Sequence, residues 1–211
     1  MTQFIIVRHG QSLANEMGLF GGSGNFPLTQ KGIMQAEATA KELDKYKIDV
    51  VYASDLQRAF KTGEIIAKRQ GCPIFKEKNL RELCGGLWES CIFDQIGIDF
   101  PKEYELWKTD LVACTPPEGE AFTHLYKRIS ECCTRLANEN ENKTVCIAAH
   151  ATPIRAMEAF FAGGIERTYD FNWVSNSSIT IVNYENGVWT KILRSYDEHL
   201  GNMSTHLPNS I

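Results

Sequence analysis

Apolar residues along this chain fall into two kinds of run. Short continuous blocks have the length and β-branched content of buried strands: Phe4-Ile5-Ile6-Val7, Asp49-Val50-Val51-Tyr52-Ala53, Ile74-Phe75 and Val145-Cys146-Ile147-Ala148-Ala149. Between them lie stretches whose apolar positions recur three and four apart. Ile33, Ala36, Ala40 and Leu43 follow Thr29, a good helix N-cap. Leu56, Ala59, Phe60 and Ile66 follow Ser54-Asp55, read as the cap of a second helix with Arg58 in its first turn. The clearest helix carries Phe122, Leu125, Tyr126, Ile129, Cys132, Cys133 and Leu136 on one stripe. A last helix is expected over 154–161, with Thr152 as N-cap, Pro153 at its first position and Gly163-Gly164 as its stop. Asn186-Gly187 between two apolar runs signals a tight hairpin.

Strands alternating with helices and closing on a hairpin predict an α/β fold. The expected form is a three-layer sandwich, with a mainly parallel central sheet flanked by helices and a C-terminal β-hairpin. A length of 211 residues fits one domain over 1–211. Within it, residues 84–117 are rich in aromatics (Phe93, Phe100, Tyr104, Trp107) and broken by Pro101, Pro116 and Pro117. They are expected to form an irregular helical cap over the site.

Composition narrows the partners. Apolar residues make up 43% and charged residues 23%, with a net charge of −4 and no basic tract, so neither nucleic acid nor an anionic membrane is an expected partner. No run approaches the roughly 18 apolar residues of a membrane span. The N-terminus enters a strand without a secretory pattern, and seven cysteines stand without C-x-x-C spacing, so a cytoplasmic location with free thiols is expected. On that expectation the sequons at Asn142 and Asn176 are chance matches. Oligomeric state is left open, a homodimer included.

Two of the predicted strands end in histidines, His9 and His150, and Arg8 precedes the first. Ligands of open α/β sheets bind at the carboxyl ends of the strands, so these residues and Arg58 are expected to converge there. Two guanidiniums and two imidazoles suit a phosphate dianion rather than a divalent metal, which would want carboxylates or cysteines; no metal or cofactor is expected. Six positions beyond each cysteine there is never an arginine, which excludes a cysteine-phosphatase loop. No G-x-x-x-x-G-K-[ST] loop occurs, and no D-x-D at a strand end. Histidine is left as nucleophile, its unperturbed pKa near ~6.5 leaving it substantially neutral at cellular pH. Glu82 is the best candidate for the proton donor. The glycines Gly21-Gly22-Ser23-Gly24 lack a dinucleotide fingerprint and read as a mobile loop near the site.

Arg8-His9-Gly10-Gln11-Ser12…Asn15 resembles the signature of the histidine phosphatase superfamily, in its phosphoglycerate mutase-like branch. Further segments follow in family order: Ser54-Asp55-Leu56-x-Arg58-Ala59, Leu80-Arg81-Glu82, Gly86-x-Trp88-Glu89, Gly119-Glu120 and His150 before a helix. The resemblance implies His9 as the phosphorylated nucleophile and Glu82 as the proton donor. It implies Arg8, Arg58, His150 and Asn15 as the phosphate pocket, and Gly22 near the substrate. Two departures stand out. Ala151 follows the second histidine where the family has glycine, which would strain a backbone of positive φ. Ser90 replaces the glycine usual after Trp88-Glu89. The paired arginines that bind the carboxylate in family mutases are absent after Trp107, where Lys108 and Thr109 stand. The expected activity is therefore hydrolysis of a small-molecule phosphomonoester. The alternatives are a cofactor-dependent phosphoglycerate mutase and a catalytically silent phospholigand-binding module.

Overall fold

The computed structural model describes residues 1–205. The first apolar block becomes strand β1 (Thr2–Arg8), followed by a short helix α1 (Leu13–Glu16). Then come α2 (Gln30–Glu42), β2 (Val50–Ala53), α3 (Gln57–Gln70) and β3 (Ile74–Lys76). Two helices, α4 (Phe93–Asp99) and α5 (Pro101–Thr109), precede α6 (Phe122–Glu139), β4 (Thr144–Ala149) and α7 (Ala151–Phe161). Strands β5 (Ile179–Glu185) and β6 (Val188–Tyr196) complete the sheet. None of the described helices is long and apolar enough to cross a membrane.

Six strands form one sheet in the order β3-β2-β4-β1-β5-β6. β1 runs parallel to β4, and β2 runs parallel to both β4 and β3. The expected hairpin is present, with Asn186 at φ 51° and Gly187 at φ 82°, the paired left-handed residues that a type I′ turn needs. Its first strand also extends the sheet, because β5 pairs antiparallel with β1 along Thr2–Val7.

Alternation along β1 accounts for the layers. Phe4 and Ile6 pack into a core with α6 and α7, while Ile5 and Val7 pack into a second core with α2 and α3. All four are fully buried, and each contributes on the order of 1.5–3 kcal/mol on transfer from water. A strand apolar on both faces needs cover on both, which places helices on each side of the sheet.

Three local expectations need correction. The N-cap of α7 is His150, in extended conformation (φ −127°, ψ 174°), and the helix starts at Ala151. Thr152 and Pro153 therefore lie inside the first turn, where a missing N–H costs no helical bond. Ser54 and Asp55 do not cap α3, whose N-cap is Leu56 without a side-chain bond. Each is engaged elsewhere: Ser54 N donates to Ala148 O at 3.0 Å, and the Asp55 carboxylate takes both Nε and Nη2 of Arg81 at 2.6 and 2.7 Å. Ala151 is not strained, since it starts a right-handed helix. The strain sits at the other departure, Ser90, whose φ is +63°.

These two positions make opposite predictions for glycine. Ala151→Gly loosens a helix start and is expected to lower stability by up to about 1 kcal/mol, and the unfolding midpoint with it. Ser90→Gly relieves a left-handed residue, a conformation costing about 1–2 kcal/mol with a side chain, and is expected to leave the midpoint equal or higher. Thermal unfolding of the two variants reads the sign; a lower midpoint for Ser90→Gly than for Ala151→Gly would overturn this assignment of strain.

Candidate active site

Register in the sheet assembles the site. Arg8 of β1 pairs with Ala149 of β4, and Ala53 of β2 pairs with Ala148. The next residues, His9, His150 and Ser54, thus leave three adjacent parallel strands at one edge. The two imidazoles lie 5.1 Å apart, edge to face, and both are buried, His9 at 3% exposure and His150 at 0%.

Hydrogen bonding fixes the tautomer of His9. Its Nδ1 is 2.7 Å from Gly10 O, and a carbonyl only accepts, so Nδ1 carries the hydrogen. The neutral ring then has its lone pair on Nε2, where Arg58 Nε donates at 3.2 Å. Burial, then the charges of Arg58 and Arg8, hold the His9 pKa well below its ordinary 6.5. Burial does the same to His150, reinforced by Arg58, His9 and Arg8. Ser54 Oγ lies 2.8 Å from His150 Nε2, whereas His150 Nδ1 is buried without a protein partner.

Both arginines are buried and held by carbonyl oxygens. Arg8 Nη1 donates to Val174 O at 2.6 Å, and its Nε has no partner. Arg58 Nη1 and Nη2 donate to Gly24 O and Gly22 O at 2.6 and 2.7 Å. Desolvation lowers each guanidinium to a pKa of about 10, which leaves both charged at neutral pH.

A cavity of about 170 Å³ opens beside them, with Arg8, Asn15, Gly22, Glu82, Ala151 and Thr152 in its wall. Glu82 Oε1 accepts from Leu83 N at 2.8 Å, and Oε2 lies 3.4 Å from Thr152 N. Asn15 Oδ1 is taken by Ser12 N, Ser12 Oγ and Asn176 Nδ2 at 3.1, 3.1 and 3.2 Å, which leaves its amide nitrogen for a ligand. The remaining wall is apolar: Leu19, Phe20, Phe93, Trp107 and Trp173. All seven residues singled out in the sequence thus lie in one neighbourhood. No group of three or more His, Cys, Asp or Glu among the described residues is placed to hold a metal ion.

The model of the histidine phosphatase superfamily (branch 1) matches residues 4–196. The chain belongs to that superfamily. This histidine phosphatase is 26% identical over 186 residues to phosphoserine phosphatase 1 of Hydrogenobacter thermophilus, across 88% of each chain. It is 29% identical over 193 residues to a probable phosphoglycerate mutase of Erwinia tasmaniensis, across 90% of this chain and 88% of that one. The solved structure of Bacillus stearothermophilus YhfR superposes with a TM-score of 0.89 at 25% identity, covering 95% of this chain and 100% of that chain.

Sequence reading gave no role to the residues that hold this histidine phosphatase's site in place. Glu89 accepts from Ser23 N and Oγ, Gly24 N and Gly85 N at 2.8, 2.9, 3.0 and 2.7 Å. It so clamps the glycine loop whose carbonyls orient Arg58. A Cβ at Gly22 (φ +37°) would lie 2.2 Å from Glu89 Oε1, so both backbone and space require glycine there. Asn176, set aside above as a chance sequon, is buried, and its Nδ2 donates to His9 O at 3.0 Å. Arg128 grips Glu120 with Nε and Nη2 at 2.7 and 2.8 Å and donates from Nη2 to Glu82 O at 3.2 Å, steadying the proposed donor's backbone. A carboxylate or amide that serves backbone groups has no periodicity to betray it.

The depressed imidazoles give a signed pH dependence. In the ligand-free protein His9 and His150 are expected to stay neutral as pH falls through 6.5, with ¹⁵N NMR showing no imidazolium for either at pH 6. The unfolded chain binds those protons below 6.5, so the stability of the fold declines as pH drops from there. An imidazolium signal from His9 at pH 6 would contradict this electrostatic picture.

Proposed function

We propose that this chain hydrolyses the phosphomonoester of a small metabolite through a phosphohistidine on His9. The supporting observation is the fixed tautomer of His9, whose Nε2 lone pair stands beside a guanidinium that has no carboxylate partner. In the first step Nε2 attacks phosphorus, the P–O ester bond breaks, and protonated Glu82 gives its hydrogen to the leaving alkoxide. In the second, a water attacks phosphorus and loses a proton to the Glu82 carboxylate; the N–P bond breaks and phosphate leaves. Arg8, Arg58 and His150, with the amide of Asn15, bind the equatorial oxygens, where charge stabilisation lowers the barrier to phosphoryl transfer. The N-terminal turn of α7, at Ala151 and Thr152 in the cavity wall, adds a dipole of the right sign.

A mutase reading draws on the Erwinia relative, but the side chains after Trp107 oppose it. Lys108 Nζ pairs with Glu105 at 2.8 Å, and Thr109 Oγ1 donates to Glu105 O at 2.7 Å, so this segment offers no pair of arginines to clamp a glycerate carboxylate. A silent binding module would have no use for a His9 whose tautomer leaves the Nε2 lone pair beside Arg58, nor for a carboxyl group, Glu82, in the wall of the adjoining cavity.

His9→Ala is expected to lower p-nitrophenyl phosphate turnover by at least about 10³-fold while cooperative unfolding is retained; unchanged activity would sink the mechanism. Glu82→Gln should slow alkyl phosphates by about 10²–10⁴-fold and p-nitrophenyl phosphate much less, because nitrophenolate leaves without a proton. Equal losses on both substrates would remove Glu82 from the donor role. Turnover is expected to persist in EDTA, and strict dependence on an added metal would contradict the site described.

A further inference from the structure

The wall of the cavity facing the phosphate pocket is unusual in what it omits. Arg8 is the one cation in its lining, held by Val174 O and assigned above to the phosphate. The one other ionisable side chain there is Glu82, which when ionised repels a carboxylate on the leaving group. Of the cations outside that lining, Arg58 is held by the carbonyls of Gly22 and Gly24, and Arg155 is engaged by Trp173 and Thr168. The Arg155 guanidinium carbon sits 4.7 Å over the Trp173 ring, and its Nε donates to Thr168 O at 3.1 Å.

What the wall supplies instead is a fixed aromatic surface. Trp107 and Trp173 stack at 5.5 Å with 15° between their planes. Trp107 also meets Phe20 edge-on at 5.5 Å, and Phe20 stacks on Phe93 at 6.1 Å. Trp88, fully buried, backs both Phe20 and Trp107 at 5.5 and 5.8 Å. Rings locked this way lose little freedom when a ligand arrives, so burial of apolar ligand surface against them converts efficiently into affinity.

We infer that the leaving group this site selects is an alcohol without a carboxylate, carrying a planar apolar or aromatic body within a few bonds of the ester oxygen. This rests on the phosphatase reading and narrows it from any small phosphomonoester to one class. Phosphorylated hydroxy acids and amino acids fall outside it: the cavity lining offers their carboxylate no cation besides Arg8, which the proposed mechanism gives to the phosphate.

The test separates the leaving group's shape from its acidity. Hydrolysis of 2-phenylethyl phosphate, ethyl phosphate, O-phosphoserine and 3-phosphoglycerate is compared on the whole chain. Binding of 2-phenylethylphosphonate and ethylphosphonate, which are not hydrolysed, is measured by calorimetry. The phenylethyl compound is expected to exceed ethyl, phosphoserine and phosphoglycerate by at least tenfold in kcat/KM, and phenylethylphosphonate to bind at least tenfold tighter than ethylphosphonate. In Trp173→Ala both phenylethyl-to-ethyl ratios should fall toward one, and Trp173→Phe should restore them. Ratios near one in the unaltered protein, or a preference for either carboxylate-bearing substrate, would overturn the inference. Absence of turnover of every ester with the phosphonate preference intact would overturn the phosphatase reading and leave the pocket's selectivity standing.

Discussion

Two guanidinium groups buried without a carboxylate partner set the terms for everything else in this fold. Removing a cation from water is costly, and proteins ordinarily meet the cost with an opposing charge. Arg8 and Arg58 are met by the carbonyl oxygens of Val174, Gly22 and Gly24, dipoles that orient the groups, while Glu82 acts on both charges and Glu89 on that of Arg58 without a direct ion pair. The pocket therefore keeps two guanidiniums that no carboxylate grips, available to an incoming dianion. The same charges, with burial, keep the adjacent imidazoles neutral, so one arrangement both attracts the anion and preserves the lone pair that would attack it.

Holding carbonyls at such positions needs support from further out. Glu89 draws four donors from the glycine loop and from Gly85, and so sets where the carbonyls of Gly22 and Gly24 point. Thr62 links α3 to the turn after His9, accepting from Gly10 N at 3.1 Å and donating to Arg58 O at 2.8 Å. Asn176 ties the His9 carbonyl to Asn15. Arg128 and Glu120 fasten the segment that carries Glu82. Arg58, His9, Asn15 and Glu82 are thus each backed by a polar residue bonded largely to backbone, which is how a loop-built site is held rigid.

Much of this was legible in the order of residues because it obeys periods and junctions. Blocks apolar on both faces marked the central strands, and polar residues at their ends marked the site, since Arg8, His9 and His150 have no other reason to close a buried run. Start signals of helices were less dependable. Thr152 looked like a cap, yet the extended residue at the end of β4 was already His150, and the helix began two residues sooner. Ser54 looked like a cap too, but the sheet and His150 claimed it. The loop from Phe171 to Ser178 carried no signal at all. Its contributions are a carbonyl at Val174, an amide at Asn176 and an isolated indole at Trp173, and none of these follows a spacing rule.

The pairing of β1 with β4 joins residues about 140 positions apart, Gln3 with Thr144 through Arg8 with Ala149. The opposite edge of β1 waits for β5, still further along the chain. During synthesis the first strand, apolar on both faces, therefore emerges long before either neighbour exists, and the histidine that follows it has no pocket until the last third of the chain arrives. Contacts of such separation close slowly and leave an adhesive strand exposed in the interval. The site is in this sense the last thing the chain completes, although its first part is nearly the first thing made.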